Sequence, residues 1–530
     1  MDTRIRNVIV LGSGPAAWMS AAYLGRELQG TVSVTVLEEP ENAAGHGVER
    51  ALPSFRGAFL DVLGIPEDDW LRACAATFSM ADRYVNWRTA GPAEARPREL
   101  PGARPDAFYH SFGLLPEHDR LPLSHYWQDR RHRGETVEPF DYACFREPPL
   151  LDARRSPCWL DGRAATRFGW HFDRRMFTGF LRRYATARPG VRRVRGVLAG
   201  VERDEHGDLA ALRTTAGDRL GGQLFLDCTA DRRLTGAVLA EPFLDLREQL
   251  PCDAAVSVSV PQPDGRRRGI EPHSTLLAMP AGRAGLYPVL GRAGADYVYA
   301  REFATRDEAA RDLCRLWGLD PARTEVHHQE QRAGRARRAW VRNCVAVGPA
   351  AGVLEPGGTD GLHLVVRTLQ LLVGHFPSGP PLPVLTERFN RAVACSFDEA
   401  RDFVQIRYGC SPRTDTPFWR AARGLALSGG VRTRTELYRA GLTAGSVLAE
   451  EARYYGYSQE EPLSPWSDAD YYCVLSGLGL ETDGPPPALA HRPDSVRGAG
   501  PVFERVRRQQ RNLLDTLPDA YTYLRRLHGR

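Results

Sequence analysis

The chain has 530 residues, 42% hydrophobic and 25% charged, proportions that exclude a disordered chain and predict two or three lobes or one large elaborated unit. Its formal charge of +5 comes from 70 basic residues set against 65 acids spread along the chain, a balance too even to predict a nucleic-acid partner. No lysine occurs, so all 70 basic residues are arginine, and any mechanism that needs a lysine ammonium, amine or Schiff base from this chain is excluded.

Asn7–Leu11 reads as a short strand, Gly12-Ser13-Gly14-Pro15-Ala16-Ala17 as a tight turn, and Trp18–Leu28 has helical spacing. A second strand, Thr31–Leu37, ends at Glu38. This is a βαβ opening with a GxGxxA turn, in which glycines let backbone approach a pyrophosphate and the helix N-terminus attracts it. Gly12, Ser13, Gly14, Ala16 and Ala17 are therefore expected to bind a dinucleotide, with Glu38 accepting from ribose hydroxyls. The motif's N-terminal position in a long chain favours FAD over NAD(P). The passage from MDTRIRN straight into VIVLG predicts no secretory signal, and no apolar window has membrane-helix length, so a cytoplasmic protein without a membrane partner is expected.

Residues 92–160, rich in Pro, Arg, His and aromatics, read as excursion loops. Helical spacing returns over Phe172–Thr186, followed by hairpin-like strands through 191–230 and alternating strands over 254–301. A helix is predicted over 306–317, a strand-turn-helix over 340–352 and a mainly helical region beyond about 380. The ten cysteines stand singly with no CxxC pair, so neither a metal site nor a redox motif is predicted.

Eight segments together carry a resemblance. They are AGHGVERALPSFRGAFLDVLGI (44–65), CAATFSMADRYVNWR (74–88), FYHSF (108–112), FGWHFDRRMF (168–177), LFLDCTA (224–230), DYVYAREFATRDEA (296–309), NCVAVGPAAGVLEPGGTDGLHL (343–364) and RDFVQIRYGCSPRTDTPFW (401–419). In this order the chain resembles the flavin-dependent tryptophan halogenases. The resemblance implies an α/β FAD-monooxygenase (glutathione-reductase-like) nucleotide-binding fold. A β-rich substrate lobe (about 92–160 and 240–335) would be interleaved with a flavin module over 1–380, and a helical region, 381–530, would cover the substrate site. It implies FAD delivered as FADH2 by a separate flavin reductase, and O2 that forms a C4a-hydroperoxyflavin opened by halide to hypohalous acid. Glu49 and Arg50 (segment GVERAL), Gly348, Pro349 and Ala350 (second flavin loop), and Gly361 and Leu362 are implied as further flavin contacts. The substrate is expected to be a small molecule, free or carrier-tethered, with a homodimer left open as an assembly.

The family's chemical signatures are altered at three places. Ser79 stands where the resemblance puts a relay lysine. In LEPGGTDGLHL, Gly358 takes the place of a glutamate, and Asp360 that of a threonine whose backbone helps hold halide. Arg283-Ala284-Gly285-Leu286-Tyr287-Pro288 replaces the WxWxIP motif, so that two indoles believed to shield the flavin are absent and the wall is expected to open. Asp360 is read as a general base or proton donor, or as a cap on the helix Leu362–Leu372. Thr359 is a flavin or substrate contact or a turn residue, Ser79 a catalytic residue or a spacer, and His110 a substrate-side or structural histidine. Arg283 and Tyr287 are candidate substrate contacts, Arg283 for a carboxylate. The expectation from these losses is a non-halogenating, FADH2/O2-dependent monooxygenase acting on an aromatic or amino-acid-derived natural-product intermediate. The alternatives are a lysine-free halogenase and a non-catalytic flavoprotein partner.

Overall fold

The computed structural model of the protein describes residues 4–40, 47–90, 106–135, 137–262, 269–357, 361–380, 382–444 and 466–529. The chain divides into two units, each assembled from three stretches: 1–75, 172–247 and 331–400 in the first, and 76–171, 248–330 and 401–530 in the second.

The first unit is built on a six-stranded sheet in the order Val191–Arg195, Ser33–Glu38, Asn7–Leu11, Leu224–Asp227, Cys344–Ala346, Trp340–Val341. All its pairings are parallel except the terminal hairpin, which suits the near-continuous apolar runs VIVL and LFL, buried on both faces. The helix Pro15–Glu27 connects the first two strands, and its small residues let it pack closely, burying Ala16 through Gly25. Asp173 caps the helix Arg174–Thr186 by accepting from the Met176 backbone N–H at 2.9 Å. Ile9, Leu37, Leu212, Leu220 and Phe225 form the core between this sheet and the small antiparallel sheet Leu198–Arg203, Leu209–Thr214, Arg219–Gly221.

The second unit holds a seven-stranded sheet, ordered His327–Glu330, Ala254–Pro261, Arg292–Tyr299, Gly282–Val289, Ser274–Met279, Ala81–Val85, Ala107–Ser111. It is antiparallel except between Ser274–Met279 and Ala81–Val85. Helix Arg306–Trp317 packs on it, opened by a Thr305/Glu308 capping box and closed by Gly318 at φ 66°.

Where the predicted loops of 92–160 are described, they include the strand Ala107–Ser111 and the helices Leu123–His132, Phe140–Cys144 and Glu147–Asp152. The sequence pattern missed them because Trp127, Phe140 and Leu150 are buried among helices too short for a clear period. The segment 340–352 also differs from expectation. After the strand Cys344–Ala346 comes a single 3-10 turn, Gly348–Ala350, and then the strand Gly352–Val353, so the helix begins only at Leu362. No described helix is long and apolar enough to cross a membrane.

Candidate functional site

In the first unit the GxGxxA turn joins strand to helix, and its two glycines differ in what they permit. Gly12 has φ 145°, and a Cβ there would lie 3.0 Å from Cys228 Cβ and 3.3 Å from Ala17 Cβ, so only glycine fits. Gly14, the residue before the helix, has φ −81°, and a Cβ there would meet nothing within 4 Å. Its space is open to a ligand, directly before the helix N-terminus, where Pro15 and the absence of a first-turn acid leave the dipole available for a phosphate. Gly348 (φ 63°) belongs to the same cradle, because a Cβ on it would sit 2.7 Å from Ala16 Cβ. Pro349 and buried Ala350 complete that turn.

Glu38 lies at the end of the second strand, and its carboxylate is buried and engaged. It accepts from Trp18 Nε1 at 3.1 Å and Arg182 Nη1 at 2.9 Å, and it is paired with Arg193. With Ser13, Glu39 and Arg195, Glu38 and the two arginines line a cleft of about 430 Å³. A ribose there would meet guanidinium donors as well as the carboxylate, and the arginines are partners the βαβ spacing did not predict. Glycines that permit close approach, a free helix N-terminus and a polar cleft at the strand ends fit the pyrophosphate and adenosine portions of FAD.

Glu49 and Arg50 are buried on the strand Val48–Ala51, where Glu49 accepts from Arg174 Nε at 2.5 Å. Gly361 is exposed and Leu362 is the buried first residue of the helix Leu362–Gly374. Gly358, Thr359 and Asp360 lie outside the described residues. Sequence reasoning missed Asp227, which accepts from the backbone N–H groups of Thr229, Leu234 and Thr235 and from the hydroxyls of Thr229 and Thr235. A buried acid closing the run LFLD was the available signal.

The second unit collects the remaining candidates. His110 stands opposite Asp82 in register, with Nδ1 3.7 Å from Asp82 Oδ2 and Nε2 2.7 Å from Asp470 Oδ1. Burial works against a charged imidazole, but the hydrogen bond to Asp470 and the nearby Asp82 carboxylate outweigh it and raise its pKa above 6.5. His110 is thus held between two carboxylates within the unit.

Arg283 and Tyr287 are buried on the strand Gly282–Val289, and Asp296 faces them from the next strand. Arg283 Nη1 lies 3.2 Å from Tyr287 Oη and 3.3 Å from Asp296 Oδ1. A Cβ on Gly285 would lie 2.4 Å from both Asp296 Oδ1 and Tyr287 Oη. The expected opening of this wall is therefore corrected: the space left by glycine is filled by Tyr287 and Asp296. Binding of a substrate carboxylate by Arg283 would compete with this buried ion pair.

Ser79 ends the strand Thr77–Ser79, which pairs antiparallel with the strand Gly169–Asp173 so that Thr77 faces His171 and Ser79 faces Gly169. Ser79 is fully buried, and its Oγ has no hydrogen-bond partner among the described residues.

The chain matches the tryptophan halogenase family model over residues 7–494. It belongs to the tryptophan halogenase family. A tryptophan 7-halogenase (RebH) of Lentzea aerocolonigenes is 46% identical over 100% of both chains, and a tryptophan 6-halogenase (ThaL) of Streptomyces albogriseolus is 44% identical over the same share. The solved structure of a tryptophan 6-halogenase (SttH) from Streptomyces toxytricini superposes with a TM-score of 0.84 at 32% identity, covering 98% of this chain and 99% of that one. The fold is that of the flavin-dependent halogenases, and the chain is an enzyme of that oxidoreductase family. These comparisons overturn the expectation of a non-halogenating monooxygenase. That expectation weighed three local losses above a likeness that runs through the whole chain and points to halogenation.

Proposed function

We propose that the protein is a flavin-dependent halogenase acting on tryptophan or a closely related free indole, and that it works without a lysine. The carrying observation is the 46% identity to a tryptophan 7-halogenase over the full length of both chains. Reduced FAD, delivered by a separate reductase, would supply the activation of O2 that oxidises a halide ion to an electrophile.

In the first unit Gly12 and Gly348 set the backbone of the cradle, Gly14 leaves room for the pyrophosphate, and the N-terminus of the helix Pro15–Glu27 offsets its charge. Glu38, Arg182 and Arg193 orient the ribose end. In the second unit Arg283, Tyr287 and Asp296 exclude water from the strand pair by filling it with mutually satisfied polar groups.

The test supplies a flavin reductase, FAD, a nicotinamide reductant, O2 and tryptophan, with chloride, with bromide and without halide. The expected result is a halogenated product with the matching isotope pattern that vanishes in halide-free buffer. An oxygenated product formed equally well without halide would overturn the reading.

A further inference from the structure

A cleft of about 460 Å³ opens within the second unit between the turn Pro280–Ala281 and the helix Arg306–Trp317. Small-molecule sites run from roughly 300 to 1,000 Å³, so the volume suits such a ligand. Bonds within the protein fix the floor: Ala281 O accepts from the Ala300 N–H at 3.0 Å, Pro280 O from Thr416 Oγ1 at 2.7 Å, and Met279 O from Trp419 Nε1 at 3.0 Å. One polar group lining the cleft is left open. Tyr297 is only 1% exposed, its Oη accepts from the Ala281 N–H at 3.0 Å, and its hydroxyl proton has no acceptor among the described residues. Burial raises its pKa, so the hydroxyl stays a neutral donor. A buried donor aimed into a cleft without an acceptor is a place for a ligand atom.

The helix supplies the charges. Glu308, Arg311, Asp312 and Arg315 recur at i, i+3, i+4 and i+7 and so share the face that lines the cleft. Glu308 is engaged in the capping box, accepting from the Thr305 N–H at 2.8 Å and the Thr305 hydroxyl at 2.7 Å. Arg315 lies 3.4 Å from Asp312 Oδ1, whereas Arg311 has no hydrogen bond or ion pair with a described residue. Burial raises the pKa of Asp312 and Arg315 offsets this only in part, so the carboxylate has use for a second cation. Phe303, held edge-on by Phe418 with ring centroids 5.9 Å apart, gives the cleft an apolar side. Two open donors match a carboxylate, an incompletely compensated acid matches an ammonium, and the ring matches an apolar side chain. We propose that this cleft binds a free α-amino acid with an aromatic side chain, its carboxylate on Arg311 and the Tyr297 hydroxyl, its ammonium on Asp312, and its ring against Phe303 and Pro280. The site belongs wholly to the second unit and needs neither flavin nor halide, so it stands independently of the halogenase reading above.

The experiment titrates the full-length protein with L-tryptophan, a ring-chlorinated tryptophan and indole-3-propionate, which keeps the ring and carboxylate but lacks the amine. Hydrogen exchange over residues 303–315 locates the binding and its dependence on ligand concentration gives the affinity. Wild type, Arg311→Met and Asp312→Asn are compared, with melting temperatures as the check on folding; R311M should melt as wild type does, because Arg311 is exposed and unpaired. The expected result is that both amino acids slow exchange over 303–315 and that R311M weakens this effect at least about tenfold. D312N should weaken it for the amino acids and leave indole-3-propionate unaffected. Exchange over 303–315 that neither amino acid slows, or that they slow equally in wild type and R311M, would overturn the site. Halide-dependent product from a protein whose 303–315 segment stays unprotected would leave the function standing without the site, and protection without such product would leave the site standing without the function.

Discussion

Gly12 and Gly14 separate folding from flavin binding, because one is required by the protein and the other leaves space for a ligand. Gly12→Ala puts a side chain at φ 145°, a region that costs an L-residue roughly 1–3 kcal/mol, and presses a Cβ to 3.0 Å from Cys228 Cβ. Overpacking at that distance adds about 1 kcal/mol or more, for a total near 2–4 kcal/mol. A domain of this size should then melt roughly 5–10 °C lower. Gly14→Ala meets none of these costs, since its φ is −81° and no atom lies within 4 Å of the new Cβ. Replacing glycine by alanine in front of the helix costs at most about 1 kcal/mol, so the melting temperature should move by about 2 °C or less. The new methyl would instead stand where a pyrophosphate must approach, and FAD affinity should fall about 10–100-fold, or 1.4–2.8 kcal/mol. Thermal denaturation without flavin and fluorescence titration with FAD measure the two effects independently. A G14A protein that binds FAD as wild type does, or a G12A protein with an unchanged melting temperature, would refute the assignment.

Three further outcomes follow from the second unit. His110→Gln leaves Asp82 and Asp470 facing a neutral group and should cost about 3–5 kcal/mol. The pKa of His110 is raised above 6.5, so its stabilisation is complete below pH 6.5 and is lost as pH climbs through the raised value. That of Asp470 is held below 3.8 because the bond from His110 overcomes the effect of burial, so its share is present above pH 3.8 and is lost as pH falls. Denaturant melts of wild type and H110Q should therefore differ most between about pH 4 and 6.5, and a gap that widened toward pH 9 would contradict the pairing. Arg283→Met should destabilise by about 3–5 kcal/mol by stranding Asp296, while R283M/D296L should recover most of the loss; equal melts for the single and double variants would show that no ion pair is formed. Ser79→Ala, measured without substrate, should leave stability unchanged or raise it by about 1 kcal/mol, since the hydroxyl it removes is buried and unbonded, and a loss of 2 kcal/mol or more would mean that the hydroxyl has a structural partner.

The βαβ turn proposed to hold FAD was the most legible part of the chain as structure, because its signals are local. The strand Asn7–Leu11, the GxG turn and the acid at the end of the second strand occupy one short stretch, and each obeys a rule of turn geometry or helix termini. The partners of Glu38 were not legible. Arg193 reaches it only because the strand Val191–Arg195 joins the sheet beside Ser33–Glu38, a pairing between segments some 155 residues apart that no periodicity announces. His110 was visible as a residue, but its two carboxylates come from a neighbouring strand and from the distant helix Asp468–Gly477.

The misreading of the chemistry has the same origin. Read along the chain, Arg283 and Gly285 register only as lost bulk, and an opened wall is the natural conclusion. The register of the hairpin sets Gly285 opposite Asp296, so the glycine is the residue that lets an aspartate and the Tyr287 hydroxyl lie over it and meet the guanidinium. What a sequence shows as a deletion is, across the strands, an exchange of apolar volume for a hydrogen-bonded polar plug. Ser79 follows the same logic: as a letter in place of lysine it reads as a lost amine, whereas in the sheet it is a buried donor set opposite a glycine and beside a histidine. A missing side chain argues for a change of reaction only after the groups brought to its position by the fold have been counted.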